Sequence, residues 1–334
     1  MSAGDILKQL LRAYANSDSE LFRKAAMQLA SNESRVGHSK LAEEIRDIVS
    51  RFPEIQAELK TISIAQPRGE LAGLIDGNFQ HEKLHNLVLS PDLESDLKRI
   101  ILENHRRSSL QRAGLFATRR ILFYGPPGCG KTLSAKALAG ELGLPLMSIR
   151  FDSLFSRFMG ATANHLRTIF DEMPKRPGVY FFDEFDAVGK SRGHQDDVGE
   201  AKRVVSSFLQ LMDADQSNSL IVAATNFESS IDPAVVRRFD TAICFGLPTT
   251  GQIKDLLARK IGTHCSPEDL TFITKELSGH SFADVARVCD DAMRTMILED
   301  NKTISRESLL KALKKTIRLS KLTKPSRKQT SRSR

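Results

Sequence analysis

Residues 121–132 read ILFYGPPGCGKT. A strand-like apolar run, Ile121 to Tyr124, passes directly into Gly125, Gly128, Gly130, Lys131 and Thr132, the spacing of a GxxxxGK[ST] phosphate-binding loop. Its chemistry follows from residue type. Glycines let the backbone fold into a nest of amides, and the helix expected to begin near Lys131 aims its positive dipole end at the same place. Lys131 can reach the β and γ oxygens of a polyphosphate as a point charge, and Thr132 offers a hydroxyl to Mg²⁺. Pro126, Pro127, Cys129 and Leu133 complete the candidate cradle. The apolar run before the loop and the alanine-rich helical stretch 133–142 after it favour a phosphate site over a plain Gly/Pro turn.

Outward from this loop, apolar strands alternate with helical segments. PLMSIRF (145–151), VYFFDE (179–184), LIVAATN (220–226) and TAICFGLP (241–248) read as strands, and 163–173 and 198–212 as helices between them. Such βα alternation predicts a parallel sheet covered by helices, with ligands bound at the carboxyl ends of the strands. The phosphate loop, the carboxylates Asp183 and Glu184, and Asn226 all fall at such ends. Their convergence is stronger than any one motif.

The chain of 334 residues, 40% apolar, can build two domains with a sizeable core in at least one. No run approaches 18 apolar residues, and the start, MSAGDILKQLL, lacks a basic n-region and a cleavage site, so a cytoplasmic protein with no membrane contact is expected. Cys129, Cys244, Cys265 and Cys289 lack CxxC spacing and are expected as reduced thiols. The net charge is +8, but Arg318, Lys321, Lys324, Arg327, Lys328, Arg332 and Arg334 carry +7 of it without an acidic residue, leaving +1 for residues 1–317. The body is nearly neutral. The tail reads either as a solvated, disordered segment or as a contact for nucleic acid, an acidic partner or an anionic surface.

Ahead of the strands, apolar positions at helical spacing (Ile6, Leu7, Leu10, Leu11; then Leu41, Ile45, Ile48, Val49) predict a three-helix bundle over 1–52. Pro67, Gly69, Gly73 and Gly77 break the pattern, so 53–82 reads as a linker. A helix is expected from Asp92 to Leu110. After the last strand, 249–317 carries four helical stretches and no convincing strand, which predicts a helical lid, and 318–334 is the basic tail.

In their order, GPPGCGKT, FFDEFDAVGKSRG, AATN, IDPAVVRRFD and SGHSFADVARVCDDA resemble the motifs of AAA+ ATPases, over roughly 87–317. The resemblance is to a small prokaryotic member of the AAA group in the narrow sense. It implies an α/β fold of the P-loop NTPase type, a three-layer parallel sheet over 83–248 with a C-terminal helical lid over 249–317, preceded by the small all-α bundle. It implies ATP and Mg²⁺ as ligands. Asp183 takes the position of the acidic residue that holds Mg²⁺ through water, Glu184 that of the base polarising the attacking water, and Asn226 that of the first sensor. Arg237 and Arg238 match arginines that reach a neighbouring subunit's site. They lack the Pro-Gly insertion found in many members, as in the branch that includes katanin and spastin.

Phe158, Met159 and Gly160 match the aromatic, hydrophobic, glycine triplet of the central-pore loop, with a buried Phe158 as the competing reading. The stretch 190–199 resembles the second pore loop, with Arg192 and His194 as weaker candidates. In the lid, Phe282 and Ala283 stand before Asp284 where clamp loaders carry an arginine. Gly279, Ala283 and the strip Leu87 to Leu89 are the expected adenine neighbours. The function implied is ATP hydrolysis by a ring, expected as a hexamer of this chain, that remodels, unfolds or disassembles a protein, with the N-terminal bundle selecting the target. Two rivals stay open: an ATP-switched regulator of a separately encoded effector such as a protease, as in antiphage defence systems, and a nucleic-acid remodeller tethered by the basic tail. No base-reading motif supports the second.

Overall fold

The computed structural model describes residues 19–51, 75–150, 162–185, 195–226 and 233–323, and the chain divides into two compact units, 1–65 and 66–334. In the first unit, helices α1 (Ser19–Val36) and α2 (Ser39–Arg51) pack on each other. The buried side chains described there are alanines, Ala25, Ala26, Ala30 and Ala42, which let the two helices approach closely. The first helix of the expected bundle, DILKQLLRAYA (5–15), lies outside the described residues.

The second unit holds a six-stranded sheet of β1 (Ile75–Phe79), β2 (Arg120–Tyr124), β3 (Pro145–Arg150), β4 (Val179–Asp183), β5 (Leu220–Thr225) and β6 (Thr241–Cys244). The spatial order is β1-β3-β4-β5-β2-β6. Strands β2 to β6 are parallel to their neighbours in this group, and β1 pairs antiparallel with β3 at one edge. The α/β expectation is met, and the parallel strands read as apolar runs because both faces are covered.

Alternation along each strand builds the three layers. Ile121, Phe123, Val179, Phe181, Val222 and Ala224 face one side, where they pack with helices α3 (Pro91–His105) and α5 (Lys131–Leu142). Leu122, Tyr180, Phe182, Ile221 and Ala223 face the other, against α6 (Thr162–Glu172) and α7 (Gln195–Ala214). Between α3 and β2 lies the short α4 (Arg107–Arg112), and α8 (Pro233–Val236) precedes β6. Helices α9 (Thr250–Ile261), α10 (Pro267–Glu276), α11 (Phe282–Leu298) and α12 (Arg306–Thr323) follow and close on a core of their own around Ile253, Leu257, Val288, Cys289 and Leu309.

Three local expectations are corrected. Ile75–Phe79, inside the stretch read as linker, is a strand: IDGNF carries three β-depleted residues, Asp76, Gly77 and Asn78, and its pairing comes from the open edge of β3 rather than from propensity. The helix expected over 92–110 is two, broken at Arg106, whose φ of −98° and ψ of 16° leave the helical region. Helix α12 runs past Ile317 to Thr323, into the stretch expected as a disordered tail. Leucine, lysine and arginine are good helix formers, and Pro325, which disfavours helical geometry at the residue before it, lies beyond Thr323. Among the described residues no helix is long and apolar enough to cross a membrane.

Candidate functional site

Strand β2 sets the site's position. It lies between β5 and β6, and Ile121, Leu122 and Phe123 are almost fully buried, so the residues that follow are delivered to the carboxyl end of the sheet on a rigid mount. Gly125, with φ of 133°, leaves the strand in a conformation closed to side chains. A Cβ there would lie 2.1 Å from the backbone oxygen of Phe245 on the adjoining chain segment. Gly125→Ala therefore combines a left-handed backbone with an overlap against backbone that cannot move aside. An expected loss of about 2–4 kcal/mol is to be read as a lower midpoint in thermal or urea unfolding, and an unchanged midpoint would contradict the described loop path.

Gly128, with φ of 77°, faces the lid. A Cβ would meet Ser281 Oγ at 2.8 Å and the Ala283 Cβ at 2.9 Å. The same approach permits a hydrogen bond from Ala283 N to Gly128 O at 3.0 Å. Helix α11 thus begins against the loop, with Ser281 and Asp284 forming a reciprocal capping box at its start. Lys131 opens α5 and is buried to 7% exposure; its Nζ donates to Gly125 O at 2.6 Å and Pro126 O at 2.9 Å. Cys129 is also buried. Burial pushes its thiol above the ordinary range against the opposing pull of Lys131, which makes it a poor thiolate. The four cysteines are free thiols.

Strand β4 brings the carboxylates to the same end. Thr132 Oγ1 donates to Asp183 Oδ2 at 3.3 Å. Glu184 follows with φ of 57°, a left-handed conformation unusual for this residue type, and its N–H donates to Asp183 Oδ1 at 2.9 Å. On either side of the two carboxylates lie buried phenylalanines. The Phe182 and Phe185 rings sit 4.9 Å and 5.3 Å from Phe208 of α7, centroid to centroid. That aromatic cluster fixes the turn while Glu184 itself is exposed. In the sheet register Thr225 pairs with Tyr124, so Asn226 leaves β5 level with Gly125.

These residues suit a nucleotide with its metal. A hydroxyl and a carboxylate side by side at the loop match what Mg²⁺ takes from a protein when phosphates and water supply its other ligands. A glycine loop running into a helix start matches polyphosphate. Leu87 and Leu89 are half-buried against the loop-side core, and the segment ahead of them is fastened down. Lys83 Nζ donates to Gly140 O at 2.6 Å, Leu84 N to Glu141 Oε1 at 3.0 Å, and Arg259 Nη1 of the lid to the backbone oxygens of His85 and Asn86 at 3.1 and 3.2 Å. Gly279 adopts φ of 79° close to the start of α11.

His280 was not singled out by sequence reading. Its Nδ1 is buried without a hydrogen-bond partner among the described residues, one position before Ser281. The signal available in the sequence was only its place in SGHSFAD.

Arg237 and Arg238 are not brought to this group. Asp240 Oδ2 accepts from Arg119 N and Arg120 N, both at 2.9 Å, and Phe239 is buried in the core. The arginine pair is therefore held level with the first residues of β2. The loop lies at the other end of that strand, about 16 Å away for five residues. Phe158, Met159, Gly160, Arg192 and His194 lie outside the described residues.

Comparison with known proteins bears on the same region. The family model described as "ATPase family associated with various cellular activities (AAA)" matches residues 121–247, from β2 to just beyond β6. A similar relative is the "Uncharacterized AAA family ATPase y4kL" of Sinorhizobium fredii. It is 34% identical over 315 residues, which cover 94% of this chain and 95% of the relative.

Proposed function

The chain belongs to the AAA family of ATPases and hydrolyses ATP, and from that premise we propose that it works as a ring of identical subunits, six by our reading, that remodels or unfolds a protein substrate. In this reading each nucleotide lies between two subunits. One wall comes from the chain that owns the phosphate loop. The amides of Gly125 to Thr132 and the Lys131 ammonium hold the β and γ phosphates, with Pro126, Pro127, Cys129 and Leu133 shaping the cradle. Thr132 and Asp183 would hold Mg²⁺, which would supply charge neutralisation for the phosphates. Glu184 orients the attacking water and takes its proton, and Asn226 bonds the water and the γ-phosphate. His280, Gly279 and Ala283 form the lid side of the base and sugar pocket, with Leu87 to Leu89 opposite.

The ring reading is carried by one observation: Asp240 fastens the segment that carries the arginine pair at the far end of β2 from this chain's own loop. An arginine mounted there serves a nucleotide only if the nucleotide belongs to another subunit. A head-to-tail interface of this kind either closes on itself or runs on as a filament, and our reading takes the closed form. Within such a ring the loop bearing Phe158, Met159 and Gly160 lines the pore and grips an extended chain by packing on side chains and backbone, while the bundle of α1 and α2 selects the target.

Phe158→Ala tests the mechanical half of this reading. ATP turnover is expected to stay within about 2-fold of the wild type, since the side chain has no part in the chemistry. Processing of a protein captured from cells on the Glu184→Gln variant in ATP should be lost. Unchanged processing would return Phe158 to the core.

A further inference from the structure

Arg237 and Arg238 are neighbours in sequence but differ in what holds them. The Arg238 guanidinium is ion-paired with the Asp213 carboxylate, close to the end of α7. The same carboxylate lies 3.4 Å from Arg120 Nη1, and the Asp213 backbone oxygen accepts from Arg120 Nη2 at 3.5 Å. Arg120 is the first residue of β2, whose last residue leads into the phosphate loop. One carboxylate therefore bridges the arginine segment to the nucleotide strand of its own subunit. Arg237, by contrast, is exposed, and its side chain makes no hydrogen bond or ion pair among the described residues.

We propose that Asp213 divides the arginine pair: it retains Arg238 within its own subunit as a positioning residue at the base of β2 and leaves Arg237 as the guanidinium that reaches the neighbour's nucleotide. This rests on the trans reading above and assigns unequal roles within it. Asp240 ties the segment bearing Arg237 and Arg238 to the amides of Arg119 and Arg120, and Asp213 contacts both Arg120 and Arg238. Arg119 is taken up by Asp215 and the backbone oxygens of Asp215 and Ser217. Asp213 is shared between Arg120 and Arg238, while Arg237 has no carboxylate partner among the described residues. A bare charge on an exposed arginine is what a transferring phosphoryl group recruits. The Asp213 pair is partly exposed, so it adds little to stability. Its effect is orientational, and small misplacements of a catalytic group cost far more in rate than the contact contributes to folding.

The test is steady-state ATPase measured on the full chain at concentrations that assemble it, with kcat and KM taken separately and the thermal midpoint recorded. Arg237→Ala is expected to lower kcat by about 10³-fold or more. Arg238→Ala and Asp213→Asn are expected to lower kcat alike, by roughly 10- to 100-fold, with KM and midpoint nearly unchanged. The double variant should be no worse than either single one, because both remove the same pair. Arg238→Lys, which keeps a cation for Asp213, should recover most of the loss. An Arg238→Ala defect as deep as that of Arg237→Ala, with Asp213→Asn near wild type, would overturn the division of roles. So would multiplicative losses in the double variant. A normal kcat for Arg237→Ala is a separate outcome, and it would remove the trans reading itself.

Discussion

Glu184→Gln is expected to leave ATP binding intact and to lower turnover by about 10²- to 10⁴-fold. The substitution is informative because so little else changes. Gln has the shape of Glu, keeps the backbone at φ of 57°, and keeps the N–H that donates to Asp183 Oδ1. The anchors on either side, Phe182 and Phe185, are untouched in their cluster with Phe208. The lost property is the ability to accept a proton from the attacking water. A decade of rate corresponds to 1.36 kcal/mol, so the expected loss is about 3–5 kcal/mol of transition-state stabilisation. Since the side chain is exposed, folding stability should move by no more than about 0.5 kcal/mol. Nucleotide affinity by fluorescence titration and phosphate release by a coupled assay separate the two effects. Normal phosphate release would remove Glu184 from the base role, whatever its position beside the loop.

The left-handed turn at Glu184 also shows where sequence reading had purchase. VYFFDE could be read as a strand ending in carboxylates because four consecutive large apolar residues need burial on both faces, and both faces are covered. The same logic recovered β2, β3 and β5, whereas β6, an edge strand with Ile243 alone buried, was read from its short apolar run. It failed for Ile75–Phe79, where Gly77 and Asn78 carry no apolar signal and the strand exists because β3 offers an unpaired edge. The loop's glycines were legible as a motif, but the reason Gly125 and Gly128 must be glycine was not: one clashes with Phe245 and the other with Ser281 and Ala283, residues more than a hundred positions away in sequence. Asp213 illustrates the same limit. It is one acidic residue at the end of a helix, and nothing local distinguishes it from Asp215, although its carboxylate meets Arg120 and Arg238. Motif reading finds residues whose chemistry is fixed by type and spacing. It cannot find those whose role is to hold them across the fold.

Subunits carrying Arg237→Ala and subunits carrying Lys131→Ala should each be nearly inactive alone, and mixing them should restore turnover. The Arg237→Ala subunit keeps a complete loop with Lys131, Thr132 and Asp183 but has no guanidinium to offer its neighbour; its expected loss is about 10³- to 10⁵-fold. The Lys131→Ala subunit has lost the ammonium that otherwise donates to Gly125 O and Pro126 O and would reach the phosphates, yet it retains Arg237. If the two residues served one site within one chain, no mixture could pair a sound loop with a sound arginine. If they serve a shared site, an equimolar random ring has roughly one interface in four with both groups intact, because each head-to-tail contact draws its two sides independently. Turnover should then approach a quarter of the wild-type rate when interfaces act independently, and fall below that where they act in concert. The measurement needs proof of co-assembly, from exchange of fluorescently labelled subunits. Co-assembled rings with no more activity than either parent would place the arginine outside the neighbour's site. Recovery would instead give each phosphate loop its second wall from another subunit, since the base of β2 is fastened too far from that subunit's own loop for Arg237 to serve both.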